Sequence, residues 1–133
     1  MNLTAVHVAV FDTLADWEIG YATAHIRRDS WQREPGRYPV VTVGPIEGLL
    51  DDRAHTSNAA RYLASSGYVG GDRYVAEPAV TDGNLITASA TAPVHFASAI
   101  FARLGLYEPE VAASWFKLYG DRDPAGYFEL MSA

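Results

Sequence analysis

Residues 4–11 (T-A-V-H-V-A-V-F) form a nearly continuous apolar, β-branched run closed by Asp12 and Thr13, which predicts a strand buried on both faces of a parallel sheet. His7 lies inside that run and reads as a satisfied core histidine rather than a ligand. From Asp16, read as an N-cap, to residue 28 the period becomes helical. Trp17, Tyr21 and Ala24 or His25 share one side, and Arg27 and Arg28 occupy the last turn, where cations complement the helix dipole. Residues 29–37 are polar with a Pro35-Gly36 turn, and residues 38–43 (Y-P-V-V-T-V) read as a second strand. Gly44-Pro45 breaks it, and residues 46–50 (I-E-G-L-L) resemble the end of a helix without its beginning, in less room than the crossover of about a dozen residues that parallel strands require. Further on, residues 53–57 predict a short strand, residues 58–65 a short helix capped by Asn58, Gly67, Gly70 and Gly71 a flexible turn, and residues 72–76 another strand.

The pattern is sharpest over residues 77–104. Ala79 and Val80, the Asp82-Gly83 turn, and Leu85, Ile86 and Thr87 predict a tight reversal feeding a buried strand, because Gly supplies the positive φ that a two-residue turn needs. A helix then starts with Thr91 as N-cap and Pro93 in its first turn. Val94, Ala97, Phe101 and Leu104 recur at helical spacing, Phe96 and Ile100 widen the apolar face, and Gly105 is its left-handed C-cap. Glu108 and Pro109 open another helix, with Val111, Trp115, Leu118 and Tyr119 on one face and Gly120 at its end. Asp123 and Pro124 open a last short one with Phe128 and Leu130. A strand, a Ser/Thr-rich turn and a helix N-terminus in succession are where an α/β protein places ligands, since backbone N–H groups converge there.

A length of 133 residues predicts one domain, large enough to bury roughly two-thirds of its unfolded surface. The net charge of −6, with no basic stripe, argues against nucleic acid as a partner. The chain has no cysteine, which excludes disulfides, thiolate metal sites and a thiol nucleophile. No long apolar run suggests a membrane partner, and a cytoplasmic location is the expectation. The four histidines are not at metal spacing, and the acidic pairs Asp51-Asp52 and Asp121, Asp123 read as turn punctuation, so neither a metal nor a cofactor is expected. Gly67 to Gly71 lacks the Lys-Ser/Thr ending of a phosphate loop. Trp115, Phe116 and Tyr119 read as core or dimer surface, because no basic residues interleave with them.

Three blocks in order, A-D-W-E-I-G-Y at residues 15–21, G-L-L-D-D-R-A-H-T-S-N at residues 48–58 and V-T-D-G-N-L-I-T-A-S-A-T-A-P at residues 80–93, resemble the PfpI branch of the class I glutamine-amidotransferase-like superfamily, whose members include intracellular proteases, amidases and deglycases. The resemblance implies an α/β fold, a flavodoxin-like three-layer sandwich with a mostly parallel sheet. It also implies a cysteine nucleophile on a strand-to-helix elbow, a glutamate that hydrogen-bonds it and a histidine nearby. Glu18 matches that glutamate and His55 the histidine of the H-T-S-N motif, so these are the catalytic positions implied. Thr91 and Ala92, in the family's G-T-A-P turn, are the binding positions implied, with Ala90 where glycine is usual and His95 where glutamate is usual. Between Val43 and Gly48 the family's middle strands and cysteine elbow are missing, so the sandwich is expected to be truncated in the middle: a single domain over residues 1–133, shortened around 44–48. No Gly-x-Ser-x-Gly replaces the elbow.

Each implied role has a plainer counterpart. Glu18 is also a first-turn helix glutamate favoured by the dipole, and His55 also a hydrogen-bonded histidine at a strand end. Loss of central strands leaves open edges, which predicts a catalytically inactive homodimer. The alternative is an active hydrolase of a carbonyl or amide substrate, in a longer chain that carries a cysteine-bearing segment between the blocks.

Overall fold

The computed structural model describes residues 5–9, 16–27, 30–43 and 48–133. The elements in order are β1 (Val6–Ala9), α1 (Asp16–Arg27), β2 (Val40–Val43), α2 (Ala60–Ala64), a 3-10 turn (Gly71–Arg73), β3 (Ala79–Asp82), β4 (Leu85–Ala88), α3 (Pro93–Leu104), α4 (Pro109–Tyr119) and α5 (Ala125–Ser132). The loop after β1, residues 28–29 and the junction at residues 44–47 lie outside the described residues, as do the side chains of Asp16, read as an N-cap, and Trp17.

β1 and β2 pair in parallel, in register from Val6 with Val40 to Ala9 with Val43, and α1 lies between them in sequence as their crossover. Val6 and Val40 pack against the core, whereas their neighbours in register, His7 and Val41, are exposed. The expected core histidine is therefore not one. Successive strand side chains point to opposite faces, and His7 falls on the face turned away from α1 and α3.

The core joins Ala22 and Ile26 of α1 to Ala97, Ile100 and Phe101 of α3, Trp115 of α4 and Leu130 of α5. Where α1 ends, its carbonyl groups lack intrahelical donors, and Gln32 Nε2–H donates to the carbonyls of His25 (2.7 Å) and Ile26 (2.9 Å). α3 closes as the pattern predicts. Gly105 has φ +58° and its N–H reaches the Ala102 carbonyl, while the Leu106 N–H reaches that of Phe101, which makes a Schellman cap and buries Leu106. The residue before α3 is Ala92, which has no side chain to cap with, so Thr91 is not the N-cap. α5 lies on α4 through Gly126 and Leu130, and the Ala125 N–H is held by Asp123 Oδ1 at 2.9 Å. Phe128, expected on the packed face, is instead among the most exposed apolar side chains described, at 69%.

β3 and β4 form the expected antiparallel hairpin, from Ala79 opposite Ala88 to Asp82 opposite Leu85, with Gly83 at φ +59° in the two-residue loop. Residues 72–76 are not a strand: a 3-10 turn runs into Tyr74, which makes a single parallel bridge with His55. The expected helix at 58–65 shortens to α2, preceded by Ala59 without a side-chain cap, because the Asn58 side chain is engaged elsewhere. Residues 48–50 form a turn.

Candidate functional site

The segment 54–57 is held from two sides. On one, the His55 N–H donates to the Arg73 carbonyl (3.3 Å) and the Val75 N–H to the His55 carbonyl (2.8 Å). On the other, side chains of the hairpin serve as surrogate strand partners. Asp82 Oδ2 accepts from the Ala54 N–H at 2.7 Å, Thr87 Oγ1 accepts from the Thr56 N–H at 2.9 Å, and Arg53 Nη1–H donates to Asn84 Oδ1 at 2.8 Å. Thr56 Oγ1–H closes the frame on the Glu77 carbonyl at 2.9 Å. The D-G-N turn therefore reverses the chain and also pins the segment that carries His55. Sequence reasoning found the first role and missed the second, although an acid and an amide flanking a turn glycine were there to see.

His55 sits at the centre of this frame and is fully buried. Its Nδ1 lies 2.7 Å from the Arg53 carbonyl, an acceptor only, so Nδ1 carries the proton and donates. Nε2 then accepts from the Tyr68 hydroxyl at 3.2 Å, and the rings of Tyr68 and Tyr74 meet the imidazole edge-on. Tyr68 is brought there by the glycine turn, where Gly67 has φ +79° and a Cβ at Gly70 would stand 2.4 Å from the Leu50 carbonyl oxygen. Both ring nitrogens are engaged and the ring is closed to solvent. In this arrangement His55 is a strut.

The second implied block meets the third through Asn58. Its Oδ1 accepts from the Ala90 N–H at 2.6 Å and from Ser89 Oγ–H at 3.2 Å, and Ser89 Oγ lies 2.9 Å from Thr91 Oγ1. Thr91 is exposed beside this cluster, whereas Ala92 is buried and its N–H donates to the Ser89 carbonyl at 2.9 Å. Glu18 lies half-buried on α1, which packs on α3. The hydrogen bonds of the His55 ring go to Arg53 and Tyr68, so none of them joins it to Glu18. A groove of about 440 Å³ opens between β3, α3 and α4, lined by Glu77, Ala79, His95, Ser98 and Phe116 among others; Glu18, His55, Thr91 and Ala92 are not in its lining. Among the described residues no group of three or more His, Asp or Glu side chains is placed to hold a metal ion, and no helix is long and apolar enough to cross a membrane.

No family model matches the chain. Over 88 residues it is 41% identical to a Bacillus subtilis protein named as the uncharacterized protease YoaZ, a match that takes in 65% of this chain and 42% of that relative. The chain thus spans less than half the length of that relative. Its fold is similar to that of a ThiJ/PfpI family protein from Bacillus anthracis (TM-score 0.79, 23% identity, 99% of this chain and 98% of that one) and to that of a DJ-1 superfamily protein from Agrobacterium tumefaciens (TM-score 0.64, 22% identity, 90% and 99%). The α/β, flavodoxin-like architecture and the resemblance to the PfpI branch are both borne out. The partial coverage of YoaZ fits a fold shortened in its middle.

Proposed function

We propose, from its likeness to the PfpI branch, that this chain is a non-catalytic form of that cysteine-hydrolase scaffold, a single domain shortened around residues 44–48. The observation that carries this reading is the absence of any cysteine from the 133 residues. The chemistry implied by the resemblance begins with attack of a thiolate on a carbonyl carbon to give an acyl or hemithioacetal intermediate, and nothing in this chain supplies the thiolate. The sealed imidazole of His55 agrees with that loss, since a histidine locked between a backbone carbonyl and a phenol presents no free nitrogen to a substrate. Glu18 and His55 are then catalytic positions inherited without their nucleophile, and Thr91 with Ala92 a binding turn without its reaction. We further propose a cytoplasmic homodimer, in which a second copy covers the open edges of the two-stranded sheets.

One observation favours the alternative, an active hydrolase of a carbonyl or amide compound: the chain matches only 42% of YoaZ, which leaves room for a cysteine-bearing segment in a longer protein. Intact mass decides between the two. A mass of 14.5 kDa, no hydrolysis of amide or ester reporters and a dimer by sedimentation at micromolar concentration are the expected results. A heavier chain whose activity is abolished by thiol alkylation overturns the non-catalytic reading, and a stable monomer overturns the dimer.

A further inference from the structure

Outside the implied site, His25 is a buried titratable side chain surrounded by aromatic rings. It is 6% exposed and sits in the last turn of α1. Its ring stacks on Trp31 and meets Phe101 of α3, Tyr107 of the α3–α4 connection, and Trp115 and Tyr119 of α4 edge-on, with centroids 5.4 to 6.5 Å away. Trp115 Nε1 lies 3.1 Å from His25 Nε2, and Tyr107 Oη lies 3.1 Å from His25 Nδ1. An indole N–H donates and cannot accept, so Nε2 must present its lone pair. The proton is therefore on Nδ1, which donates to the Tyr107 hydroxyl, and the ring is neutral. An imidazolium would set its Nε2–H against the Trp115 N–H. His55 differs in this respect: its Nε2 faces a hydroxyl, which can turn to accept.

We propose that His25 is an acid-sensitive latch: neutral, it holds α1 to α4 and to Tyr107, and protonation releases that contact. The described ring contacts between α1 and α4 are those of Tyr21 and His25 with Trp115 and Tyr119, so the latch is central to this junction. Among the described residues the titratable groups that face the ring are the phenols of Tyr107 and Tyr119, with Tyr21 beside them. α3 offers Phe101, and the turn after α1 offers Trp31 and Gln32. The sign follows from linkage. The released state takes up a proton that the closed state excludes, so stability is intact above the ordinary histidine range of about 6.5 and falls below it.

Urea unfolding between pH 7.5 and 5.5 tests this in the parent and in His25→Gln, whose side-chain amide can accept from Trp115 and donate to Tyr107 without titrating. Below pH 6.5 the folding equilibrium constant of the parent should fall by up to about tenfold per pH unit, and that component should be absent in the variant. Should the variant fail to fold, nitrogen-15 spectra of the parent decide. A neutral Nδ1–H tautomer at pH 7.5, and loss of the protected Trp115 indole N–H on acidification, support the latch. An imidazolium at His25 coexisting with an intact Trp115 signal overturns it, as does a pH dependence unchanged in His25→Gln.

Discussion

Gly126 and Gly20 each lie within a helix, and the same substitution at the two positions should act in opposite directions. A Cβ at Gly126 would stand 2.5 Å from the Ser114 carbonyl oxygen, 2.7 Å from the Leu118 nitrogen and 3.0 Å from Leu118 Cβ. The first two are α4 backbone, which no rotamer change can move, so Gly126→Ala must push α5 away by on the order of 1 Å to regain ordinary contact distances. That displacement loosens Leu130 and strains the bonds of Glu129 to Ser114 and Lys117. Overpacking of this kind costs about 1–3 kcal/mol, and alanine returns up to about 1 kcal/mol of helix propensity. With overpacking at the middle of that range, about 2 kcal/mol, the expected net loss is about 1–2 kcal/mol, or roughly 4–8 °C in Tm for a chain of this size. At Gly20 an added Cβ meets nothing within 4 Å, so only the propensity gain of up to about 1 kcal/mol remains, a rise of roughly 4 °C. Urea and thermal unfolding followed by far-UV circular dichroism measure both. A Gly126→Ala protein as stable as the parent, or both variants moving in the same direction, would refute the close approach of α5 to α4.

Two further substitutions probe the frame and the surface. Thr87→Val keeps the shape of the side chain but leaves the Thr56 N–H without its acceptor, and should cost about 1–3 kcal/mol in urea unfolding; no change in midpoint would mean that Thr87 does not hold the His55 segment. The Lys117 ammonium beside Glu129 holds its carboxyl below the ordinary value of 4.5, with help from Ser114, and the hydrogen bond to Glu129 in turn raises Lys117 above 10.5. Glu129 takes up a proton more readily when unfolded, so its share of stability is present above pH 4.5 and is lost as pH falls through the lowered value. The Lys117 share is present below 10.5 and is lost as pH rises through the raised one. Both groups are exposed and the effect is small, but Glu129→Gln should flatten both limbs of the pH–stability profile; an unchanged acid limb would count against the pairing.

What could be read in the chain beforehand was what local chemistry dictates. The Asp82-Gly83 reversal, the Gly105 cap, and the Pro109 and Pro124 helix starts depend on φ, on a missing N–H or on a side chain a residue or two away, and each stands where the pattern put it. The failures share a cause, which is tertiary competition for a group that local rules had already assigned. Asn58 has the chemistry of an N-cap, yet its amide oxygen is taken by Ala90, 32 residues on. Residues 72–76 have strand composition, but only Tyr74 finds a partner, because the segment beside it bonds largely to hairpin side chains. At the helix face where Ala24 and His25 were equal choices, five surrounding aromatic rings decide for His25, and nothing within α1 announces them. Of the implied site, the likeness to known motifs marked positions but not their contacts: the bond of Asn58 to Ala90 spans 32 residues, and the closure of His55 by Tyr68 depends on a glycine turn whose destination no local rule specifies.

The parallel pairing of β1 with β2 has a consequence for the order in which the molecule assembles. Val6 and Val40 are 34 positions apart and can join only after the chain has looped back along α1, whereas the hairpin closes over two residues and α3, α4 and α5 follow one another across short turns. Closing a short loop takes far less time than docking a distant strand, and contacts close in sequence form before the entropy of long ones has been overcome. The segment from β3 onward is therefore expected to form first, as a template on which α1 docks with its aromatic face against Phe101 and Trp115, and β1 and β2 are expected to come together last.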